Sequence, residues 1–271
     1  MVSKQSQFNQ ISKNIKSIKI QGARNIAIAG FQAYKLSPTN SSKQKLLKLR
    51  ATEPMLENIL KIADELTEKQ LINKLKQNQE IINKQTIKLI KQNSVVFTHC
   101  HSSTVIEILK LAKKKKKQFV VYTTEVEPLL QGRMTANDLA KAKIKVIVAP
   151  DLAAEQTMKK CDILLFGVDA FRKKGLANKI GTSTLCKLAK EFNIPRYACG
   201  ISLKLSKKKI KLESRPSKEV WDTKNKQIQI INPAFDFVNK KLLSGVVSEL
   251  GILSYTNFIK KAKLNLRRLL K

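Results

Sequence analysis

The segment Val95–Val105 reads VVFTHCHSSTV, and it decides how the second half of the chain folds. An apolar run ends at Cys100, and hydroxyl residues then open an apolar, helix-like stretch. Four further apolar runs, separated from one another by helical stretches, lie at 119–123, 145–149, 162–167 and 196–200. Strands that alternate with helices predict an α/β domain with a mainly parallel sheet.

The first part of the chain has a different pattern. Apolar residues recur at helical spacing, for example at Phe8, Ile11 and Ile15, and no convincing strand interrupts them. The spacing predicts an N-terminal helical bundle over residues 1–92, followed by the α/β domain over residues 93–271. Ligands bind such sheets beyond the carboxyl ends of the strands, so we expect the site there.

Composition limits the possible partners and compartments. The chain has 271 residues, and 53 Lys and Arg against 20 Asp and Glu give a net charge of +33. Because the charge is spread along a chain rich in Lys, Ile, Asn and Gln, we favour a lysine-rich surface over binding to nucleic acid, which stays open. No run of about 18 apolar residues and no apolar N-terminal signal is present, so we expect a cytoplasmic protein without a membrane span.

Cys100 is the first candidate for chemistry. It follows a strand and precedes a helix N-terminus, where backbone N–H groups lower a thiol pKa and bind phosphate. A small buried side chain is an equally good interpretation from position alone. A metal site is less favoured, because His99 and His101 point to different sides of an extended chain and the cysteines have no CxxC spacing.

Three later segments add candidates. Asp169 follows a buried strand, where desolvation would raise its pKa, although a capping role is the simpler alternative. Asn178–Thr182 (NKIGT) opens a helix with a lysine and amides suited to phosphate, but it is not a Walker A loop. Asn232–Asp236 (NPAFD) is a turn whose aspartate could cap a helix, hold a ligand hydroxyl, or both.

These motifs together resemble one known superfamily. THCHSS, TEVEPLLQGRMTA, GVD, NKIGT and NPAFD occur in its order, QGARNIAIAG resembles its N-terminal phosphate loop, and LRATEP resembles its second arginine motif. The superfamily contains archaeal ribose-1,5-bisphosphate isomerases, methylthioribose-1-phosphate isomerases, and the alpha, beta and delta subunits of translation initiation factor 2B. The resemblance implies a helical N-terminal domain and a Rossmann-like C-terminal domain.

The resemblance also implies a reaction and its residues. Cys100 and Asp169 match the catalytic pair of the isomerases, so the expected activity is aldose–ketose isomerisation of a ribose phosphorylated at C1, foremost ribose 1,5-bisphosphate. A thiolate would remove the C2 proton and the carboxyl would protonate the ring oxygen, which requires a lowered thiol pKa and a raised carboxyl pKa. The residues expected to bind substrate and its phosphates are Gln21, Gly22, Ala23, Arg24, Arg50, Ser102, Ser103, Thr104, Asn178, Lys179 and Lys204.

Three positions depart from the family motifs. Gln21 and Val126 stand where arginines are usual, and Ala51 stands where a proline is common. The alternative is therefore a non-catalytic factor-2B-like subunit that binds a sugar phosphate, a nucleotide or a translation factor. We expect no cofactor and no metal. The resemblance and the apolar segments at 245–253 and in the C-terminal helix predict a homo-oligomer.

Overall fold

The structure, a computed structural model, describes residues 3–50, 53–206, 208 and 212–269. Its first part is helical and contains α1 (Lys4–Lys16), α2 (Ala23–Leu36), α3 (Asn40–Leu49), α4 (Pro54–Lys61) and α5 (Glu68–Thr86). Side chains fix several starts: Thr39 caps α3, and Thr67 forms a reciprocal capping box with Gln70 at α5.

No strand precedes Ser94 within these described ranges. One continuous core, however, joins apolar side chains of the helices to those of the sheet, among them Phe31, Leu60 and Phe97. The division into domains at residues 92 and 93 therefore stays a prediction.

The second part is built on a seven-stranded sheet. Its strands are β1 (Ser94–His99), β2 (Phe119–Thr124), β3 (Lys145–Ala149), β4 (Ile163–Gly167), β7 (Arg196–Cys199), β9 (Gly245–Ser248) and β10 (Gly251–Leu253). They lie in the order β10-β9-β7-β4-β1-β2-β3, and neighbouring strands are parallel except for β10, which runs antiparallel to β9. The predicted α/β class and its mainly parallel sheet are confirmed.

Helices connect the parallel strands as the alternating pattern predicts. They are α6 (Ser103–Lys114), α7 (Gln131–Ala140), α8 (Ala154–Met158) and α9 (Thr182–Glu191). The chain ends with α10 (Tyr255–Leu269), whose Phe258 packs against Phe171 with ring centroids 4.4 Å apart. None of the described helices has both the length and the apolar character needed to cross a bilayer.

Two features differ from the sequence-based expectation. A second, antiparallel sheet in the order β5-β6-β8 was not predicted; its strands are β5 (Ala170–Arg172), β6 (Gly175–Lys179) and β8 (Phe235–Asn239). The apolar residues at 245–253 form β9 and β10, so Val246 and Val247 are buried inside the chain and need no partner subunit. The homo-oligomer stays a prediction that rests on the resemblance.

Candidate functional site

A cavity opens beyond the carboxyl ends of β1 and β4, between the sheet and the N-terminal helices. Its volume is about 170 Å³, roughly ten times the 10–15 Å³ that one buried water requires. Every residue that the sequence analysis assigned to the site lines it: Cys100, Asp169, Gln21, Gly22, Ala23, Arg24, Arg50, Ser102, Ser103, Thr104, Asn178, Lys179 and Lys204. Their roles are not tested by this placement, but their proximity is established.

Cys100 follows β1 directly and has a left-handed backbone with φ of 65°. Such a conformation is uncommon outside glycine and costs about 1 kcal/mol or more, so the surroundings must hold it in place. Thr135 of α7 contributes by donating its hydroxyl to the Cys100 carbonyl at 2.8 Å. This bond holds the backbone turn at Cys100, whose side chain lines the cavity.

The expectation that the pKa of the Cys100 thiol is lowered is wrong. The pKa of the thiol is raised to about 11, mainly by burial and also by the nearby Asp169, although Lys179 and the His101 N–H act to lower it. Although Cys100 precedes α6 and keeps part of its surface open to the cavity, the protein atoms around it disfavour the charged form. At neutral pH the Cys100 side chain is therefore a thiol.

Asp169 lies just past β4 on the floor of the cavity. Burial raises the pKa of its carboxyl, whereas Lys204, Lys179 and Arg50 lower it, so the predicted direction of the shift is confirmed. Lys204 donates its Nζ to the Val168 carbonyl, which holds the ammonium group beside this aspartate. Asp169 thus combines desolvation with a neighbouring cation, a common arrangement for proton transfer.

The start of α6 lies next to the end of β4. The Ser102 hydroxyl accepts the Val105 N–H at 3.4 Å and so caps the helix, which means that this hydroxyl is already partly engaged. Gly167 makes the close approach possible, because a Cβ there would lie 2.4 Å from Ser102 Oγ. The glycine of the GVD motif thereby allows the helix terminus and Asp169 to share one cavity.

Lys179 ends β6 and is 9% exposed, with Nζ 5.7 Å from the centroid of the Phe235 ring. It forms no salt bridge with any of the residues that the structure describes. Asn178 is also buried and donates its side-chain amide to Thr182 Oγ1 at 3.0 Å. Lys179 is therefore a buried cation available to an anionic ligand.

The amides that follow Lys179 are not free, contrary to our expectation. The Asp236 Oδ2 accepts the Gly181 N–H at 3.1 Å and the Ser183 N–H at 3.0 Å. The capping role proposed for this aspartate is thus observed. The start of α9 is already occupied by a carboxylate, so a phosphate near it would have to rely on the side chains of Asn178 and Lys179.

The two arginines on the helix side of the cavity already form ion pairs with carboxylates. Arg24, in the first turn of α2, lies 3.0 Å from Glu107 Oε1 through its Nη1. Arg50 Nε lies 3.3 Å from Glu213 Oε2, and its Nη2 lies 4.0 Å from Glu53 Oε1. The start of α2 has Gly22 as N-cap with φ of 80° and no side-chain cap, and Gln21, Gly22 and Ala23 line the cavity there.

Two buried ionisable residues of the cavity were missed. Glu53 is 4% exposed, and burial followed by the charge of Asp169 raises its pKa to about 8. His99 is 3% exposed and burial lowers its pKa to about 4, so its neutral ring donates Nε2–H to the Ile180 carbonyl at 2.9 Å. The LRATEP motif contains both Arg50 and Glu53, but only Arg50 was predicted to belong to the site. Nothing in the sequence marked His99 as more than a neighbour of Cys100.

Two acidic residues that follow the neighbouring strands β2 and β3, Glu125 and Asp151, lie outside the cavity lining. Glu125 pairs with Arg133, and Asp151 accepts the backbone N–H groups of Val126 and Glu127 at 3.0 and 2.8 Å. Val126, in the place of a family arginine, is 2% exposed. Ala51, the third departure from the family motifs, lies outside the described residues.

The histidines that flank Cys100 turn to different partners, since His101 bonds Asp138 at 3.1 Å. Within the described part of the chain, no three His, Cys, Asp or Glu side chains are grouped so that they could hold a metal ion.

Comparison with known proteins gives matches to one family model, to curated relatives and to solved structures. The profile of the Initiation factor 2 subunit family matches residues 31–255. Ribose 1,5-bisphosphate isomerase of Methanocaldococcus jannaschii is 34% identical over 166 residues, which cover 58% of this chain and 54% of that protein. 5-deoxyribose 1-phosphate isomerase of Petrotoga mobilis is 37% identical over 190 residues, which cover 61% of this chain and 55% of that protein. The match thus spans about half the length of these curated relatives.

Among solved structures, the translation initiation factor eIF-2B of Pyrococcus horikoshii OT3 superposes with a TM-score of 0.81 at 25% identity. The superposition covers 91% of this chain and 96% of that one.

Proposed function

Because the chain belongs to the Initiation factor 2 subunit family, we propose that it is an aldose–ketose isomerase acting on a ribose phosphorylated at C1. The observation that carries this proposal is that Cys100 and Asp169 line one cavity together with the unpaired cation Lys179. The sequence similarity to two isomerases of sugar 1-phosphates, at 34% and 37% identity, supports it.

The reaction transfers two protons and leaves the phosphate in place. The thiolate of Cys100 takes the proton from C2, and the electron pair of that C–H bond forms a C1–C2 double bond. The bond between C1 and the ring oxygen breaks, and the oxygen receives a proton from Asp169. The ionised Asp169 then removes the proton of the C2 hydroxyl, and the thiol of Cys100 returns its proton to C1, which gives a ketose 1-phosphate.

The electrostatics of the cavity determine how the pair shares its protons. The reactive state needs one proton on Asp169 and none on Cys100, whereas burial raises the pKa of that thiol to about 11. Burial raises the pKa values of both groups, so it favours the proton on Asp169 and opposes the loss of the proton from Cys100. Lys179 lowers the pKa of the thiol and so favours the thiolate that the reaction needs.

The specific substrate that we propose is ribose 1,5-bisphosphate. Cations lie on both sides of the cavity, with Lys179 and Lys204 at the sheet and Arg24 and Arg50 at the helices, so two phosphates could be bound apart from each other. The monophosphates 5-deoxyribose 1-phosphate and methylthioribose 1-phosphate would use the same chemistry with one anchor fewer.

The second candidate function is a non-catalytic subunit that binds a phosphorylated sugar, a nucleotide or a translation factor. The observation in its favour is that the arginines of the helix side are paired with carboxylates, which weakens the case for a second phosphate.

A substrate panel tests both functions. The purified chain is incubated with ribose 1,5-bisphosphate, ribose 1-phosphate, 5-deoxyribose 1-phosphate and methylthioribose 1-phosphate, and the ketose product is followed by NMR. Turnover fastest with the bisphosphate supports the proposal. Thermal stabilisation by one of these ligands without any ketose would instead identify a binding protein.

A further inference from the structure

Glu53 is a buried acid whose position has no structural explanation. It precedes α4 as the N-cap residue, where a carboxylate normally accepts a backbone N–H of the first turn. Its side chain makes no such capping bond. Instead it is 4% exposed and lines the cavity.

One oxygen of this carboxyl is left without a partner. Oε1 lies 4.0 Å from Arg50 Nη2, the outer limit for an ion pair. Oε2 is buried and has no hydrogen-bond partner in residues 3–50, 53–206, 208 and 212–269. Burying a polar atom without a hydrogen bond is unfavourable, so a polar atom that completes this site would come from a ligand.

The surroundings decide which kind of ligand atom fits. Facing Glu53 are Arg50 at the end of α3, Asp169 after β4, Lys204 after β7, and Glu213. Two of these four groups are acids and two are cations, so no excess of positive charge favours a phosphate at this oxygen. Because burial and Asp169 raise the pKa of Glu53 to about 8, its carboxyl is mostly protonated at neutral pH and can both donate and accept a hydrogen bond. A neutral hydroxyl matches it.

We propose that Glu53 Oε2 binds a hydroxyl group of the sugar ring beside Asp169, which makes Glu53 a specificity-determining residue of the cavity. This inference rests on the proposed function, since it assumes that the ligand is a phosphorylated ribose. Glu53 would distinguish sugars by their hydroxyl pattern, while Lys179 would bind phosphate whatever the pattern.

The test compares ligands and variants in one cycle. Dissociation constants of ribose 1-phosphate, 2-deoxyribose 1-phosphate and 3-deoxyribose 1-phosphate are measured by calorimetry on the full chain, its Glu53→Leu and Glu53→Gln variants, and Glu57→Gln. The last is the matched control, because Glu57 lies one turn along α4, pairs with Lys61 at 2.8 Å and is not part of the cavity lining.

The wild type should bind ribose 1-phosphate about tenfold to a hundredfold more tightly than one of the two deoxy analogues. Glu53→Leu should remove that preference by weakening only the ligand that carries the hydroxyl. Glu53→Gln, which keeps the shape and the hydrogen-bonding ability, should retain most of it. If the leucine variant does not fold, equal binding of the three ligands by the wild type still overturns the inference. Glu57→Gln should match the wild type.

Two outcomes would overturn the inference, and they are distinct. If the wild type binds and isomerises a sugar phosphate but binds both deoxy analogues as tightly as ribose 1-phosphate, or if Glu53→Leu leaves the hydroxyl preference unchanged, Glu53 does not recognise the sugar while the proposed function stands. If no phosphorylated sugar of either panel binds to the wild type, the proposed function fails and this inference fails with it.

Discussion

The two sides of the cavity hold their charges in different ways. The sheet side consists of Cys100, Asp169, Lys179 and Lys204, which follow or end strands and are directed by backbone register. Burial raises the pKa values of the thiol and of Asp169, and lowers that of Lys204. On the helix side, formed by Arg24, Arg50 and Glu53, the two arginines are engaged by carboxylates of their own chain.

This difference assigns the two sides different tasks. A ligand phosphate reaches Lys179 without displacing a carboxylate, so the sheet side can supply both binding energy and proton transfer. A phosphate that binds Arg24 or Arg50 must compete with Glu107 or Glu213. The binding free energy gained is therefore reduced by the free energy of the ion pair that is lost. The helix side therefore offers shape and hydroxyl recognition more than phosphate affinity.

Replacing the thiol should have the largest effect. Cys100→Ser keeps the size of the side chain but removes a group that can act as the base, so kcat for the substrate identified by the panel should fall about a thousandfold or more. Initial-rate measurements with that substrate test this expectation. Cys161→Ser is the control, since Cys161 is 7% exposed and lies outside the cavity, and a serine hydroxyl can replace its bond to the Thr157 carbonyl. Equal rates in the two variants would show that Cys100 does not act as the base, and the sheet side would then have no part in proton transfer.

The pH dependence of the thiol should show the second largest effect. Because the pKa of Cys100 is raised to about 11, its thiolate fraction grows with pH throughout the range from 8 to 10. The rate of alkylation by iodoacetamide should therefore rise about a hundredfold over these two pH units, without a plateau. Mass spectrometry of the labelled peptide measures it. Cys100→Ser should label slowly, since the other three cysteines are buried. A plateau below pH 9 would mean that the helix terminus outweighs burial after all.

The parallel sheet could be predicted because its strands leave a strong signal. Central parallel strands are buried on both faces and read as continuous apolar runs, as in Ile163–Gly167. The second sheet left no such signal, because a strand such as Gly175–Lys179 (GLANK) is buried by β5 and β8 and not by its own composition. Short strands of this kind depend on contacts that a linear pattern does not contain.

The site was predictable in its residues and less so in its charges. The order of the family motifs along the chain identified Cys100 and Asp169 as candidates, and both line the cavity. The sign of the thiol shift could not be predicted, since a helix terminus and burial act in opposite directions and only the packing decides which is larger. Glu53 was missed for the same reason, because its raised pKa comes from burial and from Asp169, which is distant in sequence.

Removing the free cation should have an intermediate effect. Lys179→Met should raise the KM about tenfold to a hundredfold, since it deletes a buried charge that forms no salt bridge with the described residues. Steady-state kinetics with the substrate from the panel measure the change. Lys173→Met is the matched control, because Lys173 is exposed in the turn between β5 and β6. If both variants keep the wild-type KM, the sheet side does not bind the phosphate.

Changes to the paired arginine should have the smallest effects, and their signs are informative. Arg24 and Glu107 have 28% and 44% of their side chains exposed, so solvent screens the pair. Arg24→Gln should raise the KM at most about threefold, because the guanidinium is already engaged by Glu107. Glu107→Gln should lower the KM by a similar factor, because it frees the guanidinium for the ligand, and the variant with both changes should resemble Arg24→Gln. If Arg24→Gln were instead as costly as Lys179→Met, the ligand would draw the arginine away from Glu107, and the two sides of the cavity would both act as phosphate sites.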